Sequence, residues 1–357
     1  MTDRENLISL LRRRGYEHMP VDFSMTPIAH QKLKAYMNKN NYNYPCSPIT
    51  CLPWVPEKAP KRREFWESIY GHGFKEGTWF DRYGVANEPG SEACLHMTKM
   101  YHPLENMTTL SELEAYPYPE YCEEPTDEML SASRDAHKNG KFVMGSMQCT
   151  VWETAWYTRG MEVLMMDMMS EPELAEFVLD KVTDNSVKNA ISFAKAGADG
   201  IFLGDDIGMQ STIMMSLELY REFLKPRLKR VISEAKSINP DLIVFYHSCG
   251  YVTPFIEDLI EAGIDVLNPI QPESMSFEEI FLKYGGRLSF CGTIGTQTTM
   301  PFGTPADIRR EIHSRLDFVG KRGGLLISPT HVLEPEVPAE NIVAYIEACR
   351  EYKPKQE

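Results

Sequence analysis

The sequence lacks a long hydrophobic run, and this absence argues against a membrane protein. A helix that crosses a bilayer needs about 20 consecutive apolar residues, whereas the run at 242–246 is among the longest in these 357 residues. The N-terminus carries charges where a secretory signal would be apolar. It is instead typical of a helix with a capping box at Thr2 and Glu5 that ends at Gly15. We therefore expect a cytoplasmic protein with no membrane partner.

Basic residues are also scarce. The chain has 37 Lys and Arg against 51 Asp and Glu, which gives a formal net charge of -14. Binding to nucleic acid depends on clustered cationic contacts with phosphates. The acidic balance therefore argues against a nucleic-acid partner.

Cysteines are few and far apart for a chain of this length, which is typical of reduced thiols rather than of a disulfide framework. Most of them are expected to be small buried residues, and Cys249 and Cys291 are the exceptions discussed below. The eight positions are Cys46, Cys51, Cys94, Cys122, Cys149, Cys249, Cys291 and Cys349.

From residue 141 onward, short apolar runs rich in β-formers alternate with helical stretches. Such alternation is typical of a parallel α/β fold. The predicted strands are 141–148, 198–206, 242–250, 264–271, 287–295 and 323–331. The predicted helices are 172–195, 216–237, 253–262, 276–284, 305–319 and 338–350. Two further strands, at 19–26 and within 78–86, would complete a (β/α)8 TIM barrel.

The segment 40–130 is rich in Pro, Tyr and charged residues. We interpret it as long insertions over the barrel mouth, within a single domain that spans 1–357. Its aromatic residues would either close over a flat apolar substrate or simply pack onto the barrel.

The most informative polar residues are His247 and Cys249 in the sequence YHSCG. The carboxyl ends of the strands form the active-site face of a TIM barrel. Residues i and i+2 of a strand point to the same side, so an imidazole and a thiolate would project together, as zinc requires. The plain alternative is a core histidine beside a buried cysteine.

Two later strands also end in metal-ligand residues, Cys291 and His331. Four nitrogen or sulfur donors at one barrel face favour zinc over magnesium or iron. The sequence leaves open whether Cys291 or His331 supplies the third ligand.

Carboxylates that end strands or begin helices are candidate catalytic groups. Asp205 and Asp206 follow the strand at 198–206, and only one can face the site because adjacent strand residues point to opposite sides. The other would cap the following turn. Glu153 would reach the mouth from the next helix, or serve there only as a first-turn carboxylate. Gln271 and Gln297, at strand ends or in the loop beyond, are candidate cofactor contacts.

Long stretches of the second half carry a family resemblance. The segment 197–273 with GIFLGDD and HSCG, the segment FCGTIGTQTTMPFGTPADIR at 290–309, and SPTHVLEPEVPAEN from residue 328 resemble the uroporphyrinogen decarboxylase superfamily. Within it, H-x-C-G is similar to the zinc-dependent methyltransferases that serve corrinoid proteins. Those enzymes share a His, Cys and Cys zinc set, and their last Cys matches His331 here. The Arg-rich first strand of the decarboxylase is missing from 20–32.

The resemblance implies a zinc-dependent methyltransferase. It would remove a methyl group from a small methylated donor, with an aryl methyl ether as the leading candidate, and pass it to the cobalt(I) of a separate corrinoid protein. The alternatives are a methylcobamide:thiol methyltransferase, a decarboxylase of a porphyrin-like substrate, and a non-catalytic binding protein. A homodimer is compatible with the sequence, which does not determine the oligomeric state.

Overall fold

A computed structural model of the protein describes residues 1–42, 47–90 and 98–353. Seven parallel strands form the central sheet in the order β1-β5-β6-β7-β8-β9-β10, and β2-β3-β4 form a small antiparallel sheet. The strands are β1 Ile49–Cys51, β2 Trp79–Phe80, β3 Ala86–Glu88, β4 Lys99–Tyr101, β5 Phe142–Met147, β6 Gly200–Gly204, β7 Ile243–His247, β8 Val266–Asn268, β9 Ser289–Cys291 and β10 Leu325–Leu326.

Helices connect and surround the strands. A π-helical turn at Tyr220–Leu224 joins α9 to α10, and a 3₁₀ turn at Thr253–Phe255 precedes α11. The α-helices are α1 Asp3–Leu11, α2 Pro27–Lys39, α3 Arg63–Tyr70, α4 Leu110–Ala115, α5 Asp127–Lys138, α6 Trp152–Arg159, α7 Met161–Ser170, α8 Pro172–Lys195, α9 Leu217–Leu219, α10 Lys225–Ile238, α11 Ile256–Ala262, α12 Phe277–Tyr284, α13 Thr299–Phe302, α14 Pro305–Val319 and α15 Ala339–Glu351.

The parallel sheet is buried on both faces, as continuous apolar strands predict. In β7 the residues from Ile243 to Tyr246 are all buried, and β8, β9 and β10 consist of buried residues only. Each of the six strands predicted from residue 141 onward exists, and the long helix predicted at 172–195 spans those residues. The predicted parallel α/β architecture is confirmed.

The two upstream strands are predicted wrongly. Residues 78–86 contribute to the antiparallel sheet, in which Trp79 pairs with Asn87. The barrel strand upstream of residue 141 is instead β1, which pairs with β5. Trp79 is 53% exposed, and a barrel strand requires a run that is buried on both faces.

The segment 19–26 lies between the two edges of the sheet without forming a regular strand. Met25 makes one isolated parallel bridge to Leu333 beyond β10. On the other side, the Ser47 hydroxyl ahead of β1 donates to Asp22 Oδ1 at 2.9 Å. A side-chain contact thus replaces the backbone ladder of an eighth strand, which explains why a prediction from apolar pattern fails here.

Helix α1 packs against the amino ends of the strands. Its predicted capping box at Thr2 and Glu5 is present. The helix ends at Leu11 rather than at Gly15, because Arg13 already has a left-handed backbone with φ of 58°. Arg4 forms an ion pair with Asp199 ahead of β6 at 2.7 Å. Helix α1 therefore covers the amino end of the barrel and leaves the carboxyl end for a functional site.

The segment 98–116 is held against the barrel by hydrogen bonds to Arg159, the last residue of α6. The Arg159 guanidinium pairs with Asp167 at 2.8 Å, and both side chains are almost fully buried. The same guanidinium donates to the carbonyl oxygens of Leu104 and Met107. The insertion of 40–130 over the mouth stays a prediction. None of the described helices is long and apolar enough to cross a membrane.

The buried pair at Arg159 yields a test of this packing. Arg159→Ala leaves the Asp167 carboxylate and two carbonyls without their donor, so the free energy of unfolding falls by about 3–5 kcal/mol. The matched control is Arg230→Ala, whose pair with Asp184 is about half exposed and contributes less than about 1 kcal/mol. Urea unfolding of both variants measures the difference, and equal effects would contradict this description.

Candidate metal centre

The imidazole of His247 is held at the carboxyl end of β7 by its neighbour in the sheet. His247 and Asn268 are partners in the β7–β8 register, and His247 Nδ1 lies 2.7 Å from Asn268 Oδ1. Asn268 Nδ2 donates to the carbonyl of Cys291 at 3.0 Å, which fixes the orientation of the amide. Because an amide oxygen only accepts, the proton sits on Nδ1 and the lone pair of Nε2 faces outward, as a metal ligand requires.

Cys249 lies in the turn that follows β7 rather than in the strand itself. Its Sγ is nevertheless 3.5 Å from His247 Nε2. The next residue, Gly250, has φ of 79°, and a Cβ there would lie 2.5 Å from the Met209 carbonyl oxygen. Only glycine fits this turn, and the turn brings the thiol beside the imidazole.

His331 completes a group of three ligand-type side chains. The donor atoms of His247, Cys249 and His331 all lie within 4.8 Å of one another. Two imidazoles and one thiolate are a donor set that zinc accepts, and three protein ligands leave a position for a substrate atom. The residues present therefore fit a catalytic zinc ion.

Cys291 lies outside this group. It is the last residue of β9, only 7% exposed, and its Sγ is 3.7 Å from Ser328 Oγ. Burial raises the pKa of the Cys291 thiol to about 12. Of the two alternatives for the third ligand, the geometry of the described residues favours His331.

A cavity of about 780 Å³ opens beside the three side chains at the carboxyl ends of the strands. Its walls include His247, Asp206, Glu153, Phe202 and Met144. We call it the barrel cavity.

The two adjacent aspartates have different surroundings. Asp206 lines the barrel cavity, accepts the backbone N–H of Cys249 at 2.7 Å, and lies 3.7 Å from His247 Nε2. Asp205 is buried and accepts the N–H groups of Val151 and Glu153 at the start of α6. It therefore caps a helix of the preceding βα unit rather than its own turn. Burial and then the charge of Glu153 raise the pKa of Asp205.

Glu153 belongs to a short chain of hydrogen bonds in the barrel cavity. Its Oε1 accepts from the Tyr157 hydroxyl at 2.8 Å. That hydroxyl in turn accepts a weak bond from Cys149 Sγ at 3.7 Å. Burial and the charge of Asp206 raise the pKa of Glu153, while the bond from Tyr157 opposes the rise. The carboxyl therefore keeps its proton to higher pH than an ordinary glutamate does.

Gln271 and Gln297 line a second cavity of about 480 Å³, which has Cys249 in its wall and shares Thr330, His331 and Val332 with the first. We call it the rim cavity. Gln271 Oε1 accepts the N–H of Gly250 at 3.0 Å, so this side chain supports the turn that carries Cys249. The assignment of both glutamines to cofactor contacts stays a prediction.

Sequence reasoning missed Asn268 and Tyr157. Asn268 closes the apolar run of β8, so the same rule that singles out His247 applies to it. Tyr157 lies four residues after Glu153 on α6, the spacing that places two helical side chains on one face.

Parallel strands that end in soft and borderline donors, facing one cavity, form a candidate metal site at the face where barrel proteins carry their functional residues. A model of the uroporphyrinogen decarboxylase (URO-D) family matches residues 102–352. The chain belongs to this family, as the resemblance in the sequence predicts.

Curated relatives within the family have two kinds of activity. A methylated-thiol–coenzyme M methyltransferase from Methanosarcina mazei is 30% identical over 206 residues, 55% of this chain and 50% of that protein. A uroporphyrinogen decarboxylase from Legionella pneumophila is 24% identical over 212 residues, 57% of each chain. The matched regions thus span about half the length of these relatives.

A solved structure with a similar fold is a methyltransferase from Methanosarcina mazei. It has a TM-score of 0.64 at 21% identity and covers 98% of this chain and 99% of that chain. At this identity the likeness shows the fold, and it confirms the predicted TIM-barrel class.

The ligand assignment is tested by the zinc content of purified variants. His247→Ala, Cys249→Ala and His331→Ala each retain less than about a tenth of the zinc that the parent keeps during dialysis against a chelator, since each loses one of three ligands. The matched control, Cys291→Ala, keeps the parental zinc content. Loss of zinc from the Cys291 variant together with its retention by the His331 variant would reverse the assignment.

Proposed function

We propose that the protein is a zinc-dependent methyltransferase that demethylates a small methyl ether and passes the methyl group to the cobalt(I) of a corrinoid partner protein. The observation that carries this proposal is the convergence of His247, Cys249 and His331 beside a cavity that also presents Glu153 and Asp206. The name of the methyltransferase relative supports the reaction type.

The ligand residues are arranged for an activating role. The Asn268 amide keeps His247 in the tautomer whose Nε2 is free to bind zinc. Bound zinc supplies a Lewis acid that withdraws charge from the leaving atom of the donor. Two neutral imidazoles leave the ion with more positive charge than two thiolates would, which suits a poor leaving group such as oxygen.

Glu153 provides the proton for the leaving oxygen. When the C–O bond of the donor breaks, its electron pair stays on oxygen, and the methyl carbon forms its new bond to the nucleophilic cobalt(I). A protonated Glu153 carboxyl places a proton in the same cavity, and the Tyr157 hydroxyl fixes its orientation. Demethylation then releases a neutral alcohol or phenol.

The acceptor must approach the cavity from outside the chain. Of the three ligand residues, His331 is exposed and the other two are partly buried. The donor set thus reaches the protein surface on one side, where a partner protein could bring its corrinoid close.

Transfer from a methylated thiol is the second candidate, and the name of the relative at 30% identity favours it. The same three residues would then hold a zinc ion that binds the sulfur of the donor. A thiolate carries negative charge better than an alkoxide or phenolate does, so that reaction depends less on Glu153.

The two candidates differ in their response to Glu153→Gln. With methyl ethers as donors and cob(I)alamin as acceptor, this variant forms methylcobalamin about 10²–10⁴-fold more slowly than the parent because it has no proton to give. With methyl thioethers its rate falls by less than about tenfold. Absorbance of methylcobalamin gives both rates, and an equal loss with both donors would contradict the proton-donor role.

Tyr157→Phe is the matched control. It keeps the carboxyl but removes a hydrogen bond that lowers the pKa of Glu153. The folded-state pKa therefore rises further, and the rate is maintained to higher pH than in the parent. A pH–rate profile displaced toward lower pH would be inconsistent with this assignment.

A further inference from the structure

The two cavities beside the metal centre contain acidic side chains and no cationic ones from lysine or arginine among the described residues. The acidic residues are Asp22, Glu153 and Asp206 in the barrel cavity, and Glu334 and Glu336 in the rim cavity. An anionic substituent would thus find no lysine or arginine among the described residues that line the two cavities.

Each carboxyl of the barrel cavity already accepts a hydrogen bond from within the protein. Asp22 accepts from Ser47, Glu153 from Tyr157, and Asp206 from the N–H of Cys249. Burial also raises the pKa of Asp22. Each carboxyl still has acceptor positions left, so the wall stays acidic and adds to the disadvantage of an anionic substituent.

The rest of the wall is apolar or neutral. Phe23, Ile49, Met144 and Phe202 line the barrel cavity. The Phe202 ring lies 6.0 Å from the His247 imidazole, centroid to centroid, so an aromatic surface adjoins the metal ligands. An anionic substituent that lies away from the metal ligands would lose its hydration in this surrounding without gaining a cationic side chain as a partner.

We propose that the site selects its methyl donor by charge, accepting aryl methyl ethers without an anionic substituent and rejecting donors that carry a carboxylate or a sulfonate group. This inference rests on the proposed function, because it names the substrate class of the same site. It also separates this chain from its named relatives: uroporphyrinogen carries several carboxylates, and coenzyme M carries a sulfonate.

Three ligands of nearly equal size test the selection. They are 4-methoxybenzyl alcohol, 4-methoxybenzoate and 4-methoxybenzylamine, which are neutral, anionic and cationic at pH 7. Calorimetric titration of the zinc-loaded protein should show that the alcohol binds at least about tenfold more tightly than the benzoate, and that the amine also binds more tightly than the benzoate. Titration of the zinc-free protein identifies any affinity that comes from direct binding of the charged group to the metal.

Ile49→Arg places a cation in the cavity wall. The benzoate should then gain at least about tenfold in affinity, while the affinity for the alcohol changes less than about threefold. The matched control Ile49→Gln adds polarity without charge and should leave the order of the three ligands unchanged. The comparison in the parent protein stands by itself if the arginine variant fails to fold.

Benzoate binding as tightly as the alcohol or the amine would overturn the inference, and so would the absence of binding by all three. Methyl transfer measured with the same compounds separates this outcome from the proposed function. Selective binding of the alcohol without methyl transfer would support the charge selection and contradict the methyltransferase. Methyl transfer from the benzoate with the same kcat/KM as from the alcohol would support the methyltransferase and contradict the charge selection.

Discussion

The hydrogen bond from His247 Nδ1 to Asn268 Oδ1 connects the fold to the chemistry. It exists because β7 and β8 are paired in a register that sets these two residues side by side at the strand ends. Asn268 also binds the carbonyl of Cys291 on β9, so three neighbouring strands define the position of one imidazole. A slip of one residue would turn these side chains to the opposite faces of the sheet. The Nε2 atom would then no longer face Cys249.

Local pattern predicted the second half of the fold well and the first half poorly. Continuous apolar strands and long amphipathic helices after residue 141 have strong periodic signals, and they are present. The segment 19–26 fails as a strand because a side-chain bond from Ser47 to Asp22 holds it in place of a ladder. The two residues of this contact are 25 positions apart in the chain, so a pattern among neighbouring residues does not reveal it.

The site was predictable only where a residue closes a strand. The position and spacing of His247 and Cys249 predict that their side chains lie together, and their Nε2 and Sγ atoms are 3.5 Å apart. The sequence predicts that only one of Asp205 and Asp206 faces the site, but it does not show which one, and the cap expected on the following turn is wrong. The third ligand was not decidable, because Cys291 and His331 both end strands and only tertiary geometry separates them. Asp205 caps α6, an element 52 residues earlier in the chain, and this role has no signature in its own neighbourhood.

The protein combines the barrel of its family with a distinctive donor set. By the resemblance in the sequence, His331 stands where the similar methyltransferases carry a second cysteine. Carboxyls, and no lysine or arginine among the described residues, line the two cavities. Under the proposed function, both features favour a donor with a poor, uncharged leaving group. In the decarboxylase branch, a substrate with many carboxylates would meet the wrong charge here. The proposed activity and substrate class therefore depend on a few side chains on a scaffold that the family shares.

The most direct test of the central claim is X-ray absorption at the zinc edge of the zinc-loaded protein. The account predicts one sulfur ligand at about 2.3 Å and nitrogen or oxygen ligands at about 2.0–2.1 Å, with multiple scattering from two imidazoles. Two sulfur ligands, or a shell without imidazole, would contradict the assignment of His247, Cys249 and His331.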